Sequence, residues 1–199
     1  MSRAFWEARI ARWDRSRYGL ATAVARRSQL AAASLRGWCA GRVVAELGCG
    51  GGRLLEQLAR FECAGLIGVD FSATALQLAA RRCPQARLVR ADVTCDPLPE
   101  ADLYVALGLL DWLSAAEIRG LFQSLREKPF LLSFSEARPS LWRLLHWLFV
   151  RLSTRLGQPR PAYHRAAWLQ ELAADAGCGA TRVVRHPGLH FGAFLCHAL

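Results

Sequence analysis

Glycines and one acidic residue at alternating positions form the most informative motif of the sequence. Residues 46–52 read Glu-Leu-Gly-Cys-Gly-Gly-Gly, after an apolar run at 42–47 and before helical spacing at 51–60. Glycine lets a chain turn tightly and lets its backbone approach a ligand without an intervening side chain. The N-terminus of the following helix adds free N–H donors that can bind a carboxylate. The motif therefore predicts a loop that binds a cofactor through its backbone.

Two further acidic residues follow the next two apolar runs. Asp70 ends the run 66–70, and Asp92 comes just after the run 86–90. A carboxylate at the first of these positions can accept hydrogen bonds from both hydroxyls of a ribose. Each acid alone is explained equally well as the cap of a helix or a turn. Together with the glycines, at consecutive strand ends, they favour a cofactor site.

The elements that must position these residues alternate between strand and helix. Short apolar runs at 42–47, 66–70, 86–90, 103–107 and 130–134 predict strands, and helical spacing separates most of them. Ser72 is placed to cap one helix, and Ser114 with Glu117 predicts a capping box for another. This alternation predicts an α/β fold, a doubly wound and largely parallel sheet with helices on both faces.

Both ends of the chain depart from this alternation. Residues 1–38 predict an N-terminal helical cap with a break near Tyr18, and 39–199 the domain itself. Residues 140–156 predict an arginine-bearing helix inside a lid insertion at 138–162, before a helix at 165–176. Runs at 181–185 and 191–196 predict a hairpin through Pro187-Gly188.

The spacing Glu46-x-Gly48-x-Gly50-x-Gly52 resembles motif I of the class I S-adenosylmethionine-dependent methyltransferases of small-molecule type. The resemblance covers roughly residues 40–135. It implies a Rossmann-like, seven-stranded sheet with the last strand antiparallel beside the fifth, and methyl transfer from S-adenosyl-L-methionine. The layout is also loosely similar to magnesium-protoporphyrin O-methyltransferases, but the His-Tyr pair that those proteins carry after the fourth strand is absent. The residues that carry this looser likeness are Trp13, Tyr18-Gly19, Ser133–Ser135, Arg160 and Tyr163-His164.

The resemblance also implies site residues. Asp70 would hold the ribose, Asp92 would lie near the adenine amino group and Val93 would flank the base. The cofactor-binding positions implied are Tyr18, Glu46, Gly48, Cys49, Gly50, Gly52, Asp70, Phe71, Asp92, Val93, Leu107 and Gly108.

The acceptor end is less well specified by the sequence. The segment after the fourth strand, 107–112, lacks the prolines typical of many methyltransferases that act on amines of nucleic acids or proteins. It looks more like small-molecule enzymes, with an oxygen of an apolar, aromatic or acidic metabolite as acceptor. The candidates for acid–base chemistry are His164, His190 and Asp111. His146, in mid-helix, is expected to be a packing residue, and Trp112 and Trp142 either wall a pocket or belong to the core.

Charge and cysteines limit the remaining classes. The net charge is +10 and is carried almost wholly by arginine, so anionic partners are favoured. Nucleic-acid modification stays an alternative, although the arginines are spread along the chain rather than clustered. A non-catalytic Rossmann-like binding module is another. An NAD-linked oxidoreductase is disfavoured because Arg53 stands where the dinucleotide motif needs a small residue.

Seven cysteines without a Cys-x-x-Cys pair, and no apolar signal core at the N-terminus, predict reduced thiols, no metal site and a cytoplasmic location. The arginine-bearing helix at 140–156 has two interpretations. It either packs on the sheet with its arginines in water, or it touches the inner face of an anionic membrane.

Overall fold

A computed structural model describes residues 3–15, 20–154 and 158–199. Its centre is a seven-stranded sheet in the order β3-β2-β1-β4-β5-β7-β6. Six strands run parallel, and β7 runs antiparallel between β5 and β6. The predicted Rossmann-like α/β fold with its antiparallel last strand is therefore confirmed. The strands are β1 Val43–Leu47, β2 Gly65–Asp70, β3 Arg87–Arg90, β4 Leu103–Leu107, β5 Phe130–Ser135, β6 Thr181–Arg185 and β7 Gly192–His197.

Helices cover both faces of the sheet, because the central strands are apolar on both sides. Along β4, Leu103 and Val105 join one buried cluster, and Tyr104 and Ala106 join the other, as the two-residue period of a strand requires. The seven α-helices of the described chain are α1 Arg3–Arg15, α2 Leu20–Leu35, α3 Arg53–Leu58, α4 Ala73–Arg82, α5 Ala115–Ser124, α6 Leu141–Ser153 and α7 Ala166–Asp175.

Local signals set the helix boundaries near the site. The Ser72 hydroxyl accepts a hydrogen bond from the Ala75 N–H at 3.1 Å and begins α4. Ser114 and Glu117 form the predicted reciprocal capping box of α5. A short 3-10 turn, Leu110–Trp112, follows β4, and another, Pro187–Leu189, closes the hairpin of β6 and β7.

Helix α6 differs from the other helices of the sheet domain, α3, α4, α5 and α7. None of its side chains is buried, so of the two interpretations of this helix, packing on the sheet does not fit the structure. It lies instead at the carboxyl edge, where several of its side chains line the main cavity. None of the helices in the described ranges is both long and apolar enough to cross a bilayer. All seven cysteines are free thiols.

Candidate functional site

A cavity of about 580 Å³ opens at the carboxyl ends of β1, β2 and β4. Ligands of open α/β sheets bind at this edge, where the strand order reverses, and here it reverses between β1 and β4. The volume lies in the range of small-molecule sites. One end of the cavity is made by the glycine loop and the other by aromatic side chains.

The glycine loop lines the first end with bare backbone. Gly48 and Gly50 have φ angles of 67° and 52°, values that L side chains rarely adopt. The Gly50 N–H donates to Asp70 Oδ2 at 2.9 Å, and the Ser72 N–H donates to Asp70 Oδ1 at 2.9 Å. Asp70 thus holds the loop and the start of α4 together while it lines the cavity.

Glu46 lines this end, and its buried Oε2 has no hydrogen-bond partner among the described residues. Burial raises the pKa of its carboxyl well above the usual range, and the nearby Asp70 raises it further. A buried carboxylate oxygen without a donor is costly unless a ligand supplies one. The site therefore suits a cofactor that carries a cationic amino group.

Most of the other implied cofactor residues also line the cavity. They are Cys49, Phe71, Val93, Leu107 and Gly108. Burial raises the pKa of the Cys49 thiol well above its usual range, so this side chain is an inert wall. The Gly108 N–H is fixed by the Ser133 hydroxyl at 2.8 Å.

Two implied positions lie elsewhere, and the third is not among the described residues. Gly52 faces α4, where a Cβ would come within 3.0 Å of Ala79, so its role in this structure is helix packing. Asp92 lines a shallower pocket beside Phe71, and its Oδ1 accepts hydrogen bonds from the backbone and hydroxyl of Thr94. Tyr18 lies outside the described residues.

Helix α1 also contributes to the cavity. Trp6 and Ile10 line the cavity, and Trp6 meets Trp112 edge to face at 4.7 Å between ring centroids. Glu7 fixes the helix on the domain, because its Oε1 accepts from the backbone and hydroxyl of Thr74. Sequence reasoning missed these residues, since the helical pattern of residues 3–15 gives no signal of what the helix packs against.

The second end of the cavity is aromatic and apolar. Its wall comes from the turn after β4, from α6 and from the loop before β7, and Trp142 stacks on His190 at 4.6 Å. His190 has a φ of 53°, which is strained for a residue other than glycine. The residues of this wall are Trp112, Trp142, Leu145, Phe149, His190 and Phe191.

Asp111 and Arg27 add charge to this apolar end. The buried Asp111 accepts from the Ser135 backbone N–H at 2.7 Å and from the Ser135 hydroxyl at 2.8 Å. Its Oδ2 lies 3.6 Å from Arg27 Nη1. Both side chains line the cavity. Because both Asp111 oxygens are engaged, the carboxylate is better placed to orient Arg27 than to abstract a proton.

The two predicted catalytic histidines are placed differently. His190 lines the cavity, whereas His164 is absent from its wall and is buried beside β5. A ring nitrogen of His164, Nε2, lies 2.9 Å from the Leu110 carbonyl, and its ring stacks on Trp168. The structure thus gives His164 a packing environment and leaves its catalytic role without support.

His146, expected from the sequence to pack, instead lines the cavity. Its Nδ1 lies 2.6 Å from the Tyr163 hydroxyl. Burial lowers the pKa of His146 and raises the pKa of Tyr163, so both side chains are neutral near neutral pH. A neutral imidazole in an apolar wall can accept a proton. The sequence did not predict this position of His146, because the apolar spacing of α6 does not show which side of the helix faces the site.

Part of the chain is similar to known methyltransferases. Residues 44–128 match a family model described as a methyltransferase domain. Trans-aconitate 2-methyltransferase of Rhodopseudomonas palustris (strain BisB5) is 40% identical over 74 residues, which cover 36% of this chain and 29% of that protein. The match to this curated relative therefore spans less than a third of its length.

Solved structures extend the likeness to nearly the whole chain at the level of the fold. Magnesium protoporphyrin IX methyltransferase from Synechocystis PCC 6803, solved with bound SAH, superposes with a TM-score of 0.73 at 19% identity and covers 98% of both chains. Human N-acetylserotonin methyltransferase in complex with SAM gives a TM-score of 0.70 at 21% identity, over 98% of this chain and 57% of that one. Residues 44–128 are thus similar to a methyltransferase domain, and the described chain has the fold of these two methyltransferase structures.

Proposed function

We propose that this methyltransferase domain transfers a methyl group from S-adenosylmethionine to an oxygen of a small-molecule acceptor. The observation that carries the proposal is one continuous cavity. Its first end offers bare glycine backbone and the unpartnered Glu46 oxygen, and its second end offers an apolar, aromatic chamber beside Arg27. A cofactor and an acceptor can therefore lie in line within one cavity, and this proximity supplies much of the rate of a methyl transfer.

The chain's residues have separate tasks in this proposal. Glu46 binds the cofactor's amino group, the bare 48–50 backbone leaves room for its amino-acid end and Asp70 accepts from its ribose. S-adenosylmethionine supplies a methyl carbon on a positively charged sulfur; the acceptor oxygen bonds to that carbon as the carbon–sulfur bond breaks and leaves a neutral thioether. Asp92 already accepts a hydrogen bond from Thr94. We therefore place it near the adenine base and give it no hydrogen bond to the cofactor.

A neutral acceptor oxygen must also lose a proton, and His146 is the base that this wall favours. When Nδ1–H donates to the Tyr163 oxygen, Nε2 is left to accept the acceptor's proton. The Tyr163 hydroxyl can donate or accept, so this role belongs to the tautomer that carries its proton on Nδ1. His190 stays a second candidate because it lines the same chamber, and Asp111 orients Arg27.

The nature of the chamber favours an apolar or aromatic acceptor with one polar or anionic group. Arg27 could bind a carboxylate or a phenolate, which keeps an acidic metabolite as the second candidate. The name trans-aconitate 2-methyltransferase of the curated relatives points to such an acid. The aromatic wall of Trp112, Trp142 and Phe149 makes the apolar class the better match.

Location and domain roles form part of the same proposal. We infer a cytoplasmic protein that touches the inner face of an anionic membrane through residues 140–156, with 1–38 as a cap and 138–162 as a lid. Free thiols, the arginine excess and the exposed α6 support this inference.

Transfer of tritium from methyl-labelled S-adenosylmethionine tests the function. We expect labelled product from a panel of phenols and carboxylic acids, inhibited by S-adenosylhomocysteine. The test variant is Glu46→Gln and its matched control is Glu56→Gln, because Glu56 is an exposed glutamate on the neighbouring helix α3. Binding of the cofactor without transfer to any member of the panel would favour the non-catalytic binding module instead.

A further inference from the structure

Helix α6 carries a bare apolar surface. Leu141 is 68% exposed and Leu152 is 80% exposed. Among the residues that the structure describes, Trp38 is the one large exposed apolar side chain that lies outside this helix. A patch of this kind on a folded protein marks an interaction site. The exposed apolar residues of α6 are Leu141, Trp142, Leu144, Leu145, Trp147, Leu148, Phe149 and Leu152.

A basic flank borders this apolar face. Arg143 lies 5.7 Å from the Tyr163 ring centroid, and Arg151 lies 5.1 Å from that of Trp147. Arginine beside tryptophan is the composition of helices that rest in the headgroup region of a bilayer. The sequence has no acidic residue between Glu136 and Glu171, whereas it has arginines at 138, 143, 151, 155, 160 and 165.

The third side of the helix faces the cavity. Trp142, Leu145 and Phe149 are both exposed and part of the cavity wall, next to His146. On a helix, residues three and four apart are neighbours, so Leu145 and Phe149 continue directly into Leu141, Leu148 and Leu152. Along α6 the cavity wall is therefore continuous with the exposed apolar face, with no charged side chain of this helix between them.

We propose that α6 docks on an anionic bilayer and that the cavity takes its acceptor from that bilayer. The acceptor is then an amphiphile with an apolar body, which passes along α6, and one oxygen, which reaches His146 and Arg27. This deepens the proposed methyl transfer and rests on it. The helix has 13 residues, about 20 Å in length, and its Arg143 and Arg151 keep it in the plane of the surface.

A second copy of the chain is a poorer occupant of this face. Two copies joined through α6 would bring their Arg143 and Arg151 flanks together in a chain whose net charge is already +10. Like charges at close range destabilise an interface, whereas anionic headgroups complement them. Charge complementarity therefore selects the bilayer.

Vesicle sedimentation tests the docking. The full chain is mixed at low salt with vesicles of phosphatidylcholine alone or of phosphatidylcholine with phosphatidylglycerol. We expect binding to the anionic vesicles that salt weakens, and a loss of roughly tenfold or more in Leu152→Asp. No sedimentation with anionic vesicles, or equal binding by Leu152→Asp, would overturn the docking.

Two tryptophans give a matched pair for the same assay. Trp147 on α6 and Trp38 before β1 are both exposed, and an arginine lies over each ring. We expect Trp147→Ser to weaken vesicle binding several-fold and Trp38→Ser to leave it unchanged. An equal loss in both variants would show general surface stickiness and would overturn the specific role of α6.

Hydrogen exchange identifies the occupant. With anionic vesicles, we expect new protection in residues 141–153 and none in residues 115–124 of α5. Protection of 141–153 that grows with protein concentration in the absence of vesicles would assign the face to a second copy instead, and so overturn the proposal.

Methyl transfer from the labelled cofactor tests the source of the acceptor. The probe is 4-decylphenol carried in anionic vesicles, compared with trans-aconitate in solution. We expect transfer to the phenol, reduced at least fivefold in Leu152→Asp. No transfer to the phenol, equal transfer by the variant, or transfer to trans-aconitate alone would overturn uptake from the bilayer. Calorimetry with S-adenosylhomocysteine on the same samples separates this failure from failure of the proposed function, since Leu152 lies outside the cavity wall.

Discussion

The Gly50 N–H donates a hydrogen bond to Asp70 Oδ2 at 2.9 Å and so ties the loop after β1 to the end of β2. The same carboxylate accepts the Ser72 N–H at the start of α4. One side chain therefore fixes both the backbone that faces the cavity and the helix beside it. Cofactor binding and local stability are coupled through Asp70.

Asp70→Asn should weaken both properties. The amide retains one acceptor oxygen, so one of the two N–H donors loses its partner at a cost of about 1–3 kcal/mol. We expect a lower melting temperature and at least tenfold weaker binding of S-adenosylhomocysteine by calorimetry.

The control for this change is Asp102→Asn. Asp102 accepts the Val43 N–H at 2.8 Å at the opposite, amino end of β1, far from the cavity wall. Its substitution should affect stability without changing ligand affinity. Equal loss of affinity in both variants would contradict the assignment of Asp70.

Glu46→Gln should make the protein more stable and its cofactor binding weaker. Burial raises the pKa of Glu46 in the folded state, so above the ordinary value of about 4.3 the unfolded chain binds fewer protons than the folded one. Folding stability from this group is therefore present at low pH and is lost as pH rises.

Removal of the ionisable group flattens that part of the stability curve. Denaturant unfolding from pH 4 to pH 8 measures it, with Glu56→Gln as the control. A Glu46→Gln variant that binds S-adenosylhomocysteine as tightly as the natural chain would contradict the role of the unpartnered oxygen.

Gly52→Ala should destabilise the domain by packing rather than by blocking the ligand. Its Cβ would lie 3.0 Å from Ala79 of α4, at a φ of 74°. Left-handed backbone and overpacking together cost about 2–4 kcal/mol. Gly120→Ala in α5 is the matched control, because a Cβ there meets nothing within 4 Å, and we expect it to gain about 0.5–1 kcal/mol. Equal melting temperatures for Gly52→Ala and Gly120→Ala would contradict this role of Gly52.

His146 should titrate below the ordinary histidine value of about 6.5. Burial lowers its pKa, Asp111 opposes this shift and Arg27 adds to it. We expect Asp111→Asn to lower the pKa further. Proton NMR of the imidazole gives the midpoint, and His146→Gln identifies the resonance. A midpoint at or above the ordinary value would contradict a neutral base in the cavity wall.

The same shift predicts a pH effect on stability. The unfolded chain takes up a proton on His146 before the folded chain does, so stability from this group is present above pH 6.5 and is lost as pH falls. We therefore expect the change from neutral pH to weak acid to lower the free energy of unfolding less in His146→Gln than in the natural chain.

The sequence predicted those parts of the fold that depend on local signals such as helix caps and turns. Ser72 and the Ser114–Glu117 box cap the predicted helices, and β4 has the predicted bounds. The hairpin at Pro187-Gly188 supplied the antiparallel strand, since turn residues and apolar runs act over a few positions.

The sequence predicted the part of the site that the ends of neighbouring parallel strands form. Glu46, Gly48, Gly50 and Asp70 sit at strand ends that the parallel order brings together. The position of His146 depends on how α6 docks beside the loop before β7, and that of Trp6 on how α1 packs over the turn after β4. Such long-range contacts leave no periodic signal, because either face of an amphipathic helix can be the one that meets the site.

Titration calorimetry of the folded chain with S-adenosylhomocysteine tests the central claim most directly. The account predicts saturable binding of one molecule per chain, at least tenfold weaker in Glu46→Gln and Asp70→Asn and unchanged in Glu56→Gln. Absence of any heat of binding from protein that unfolds cooperatively would contradict it.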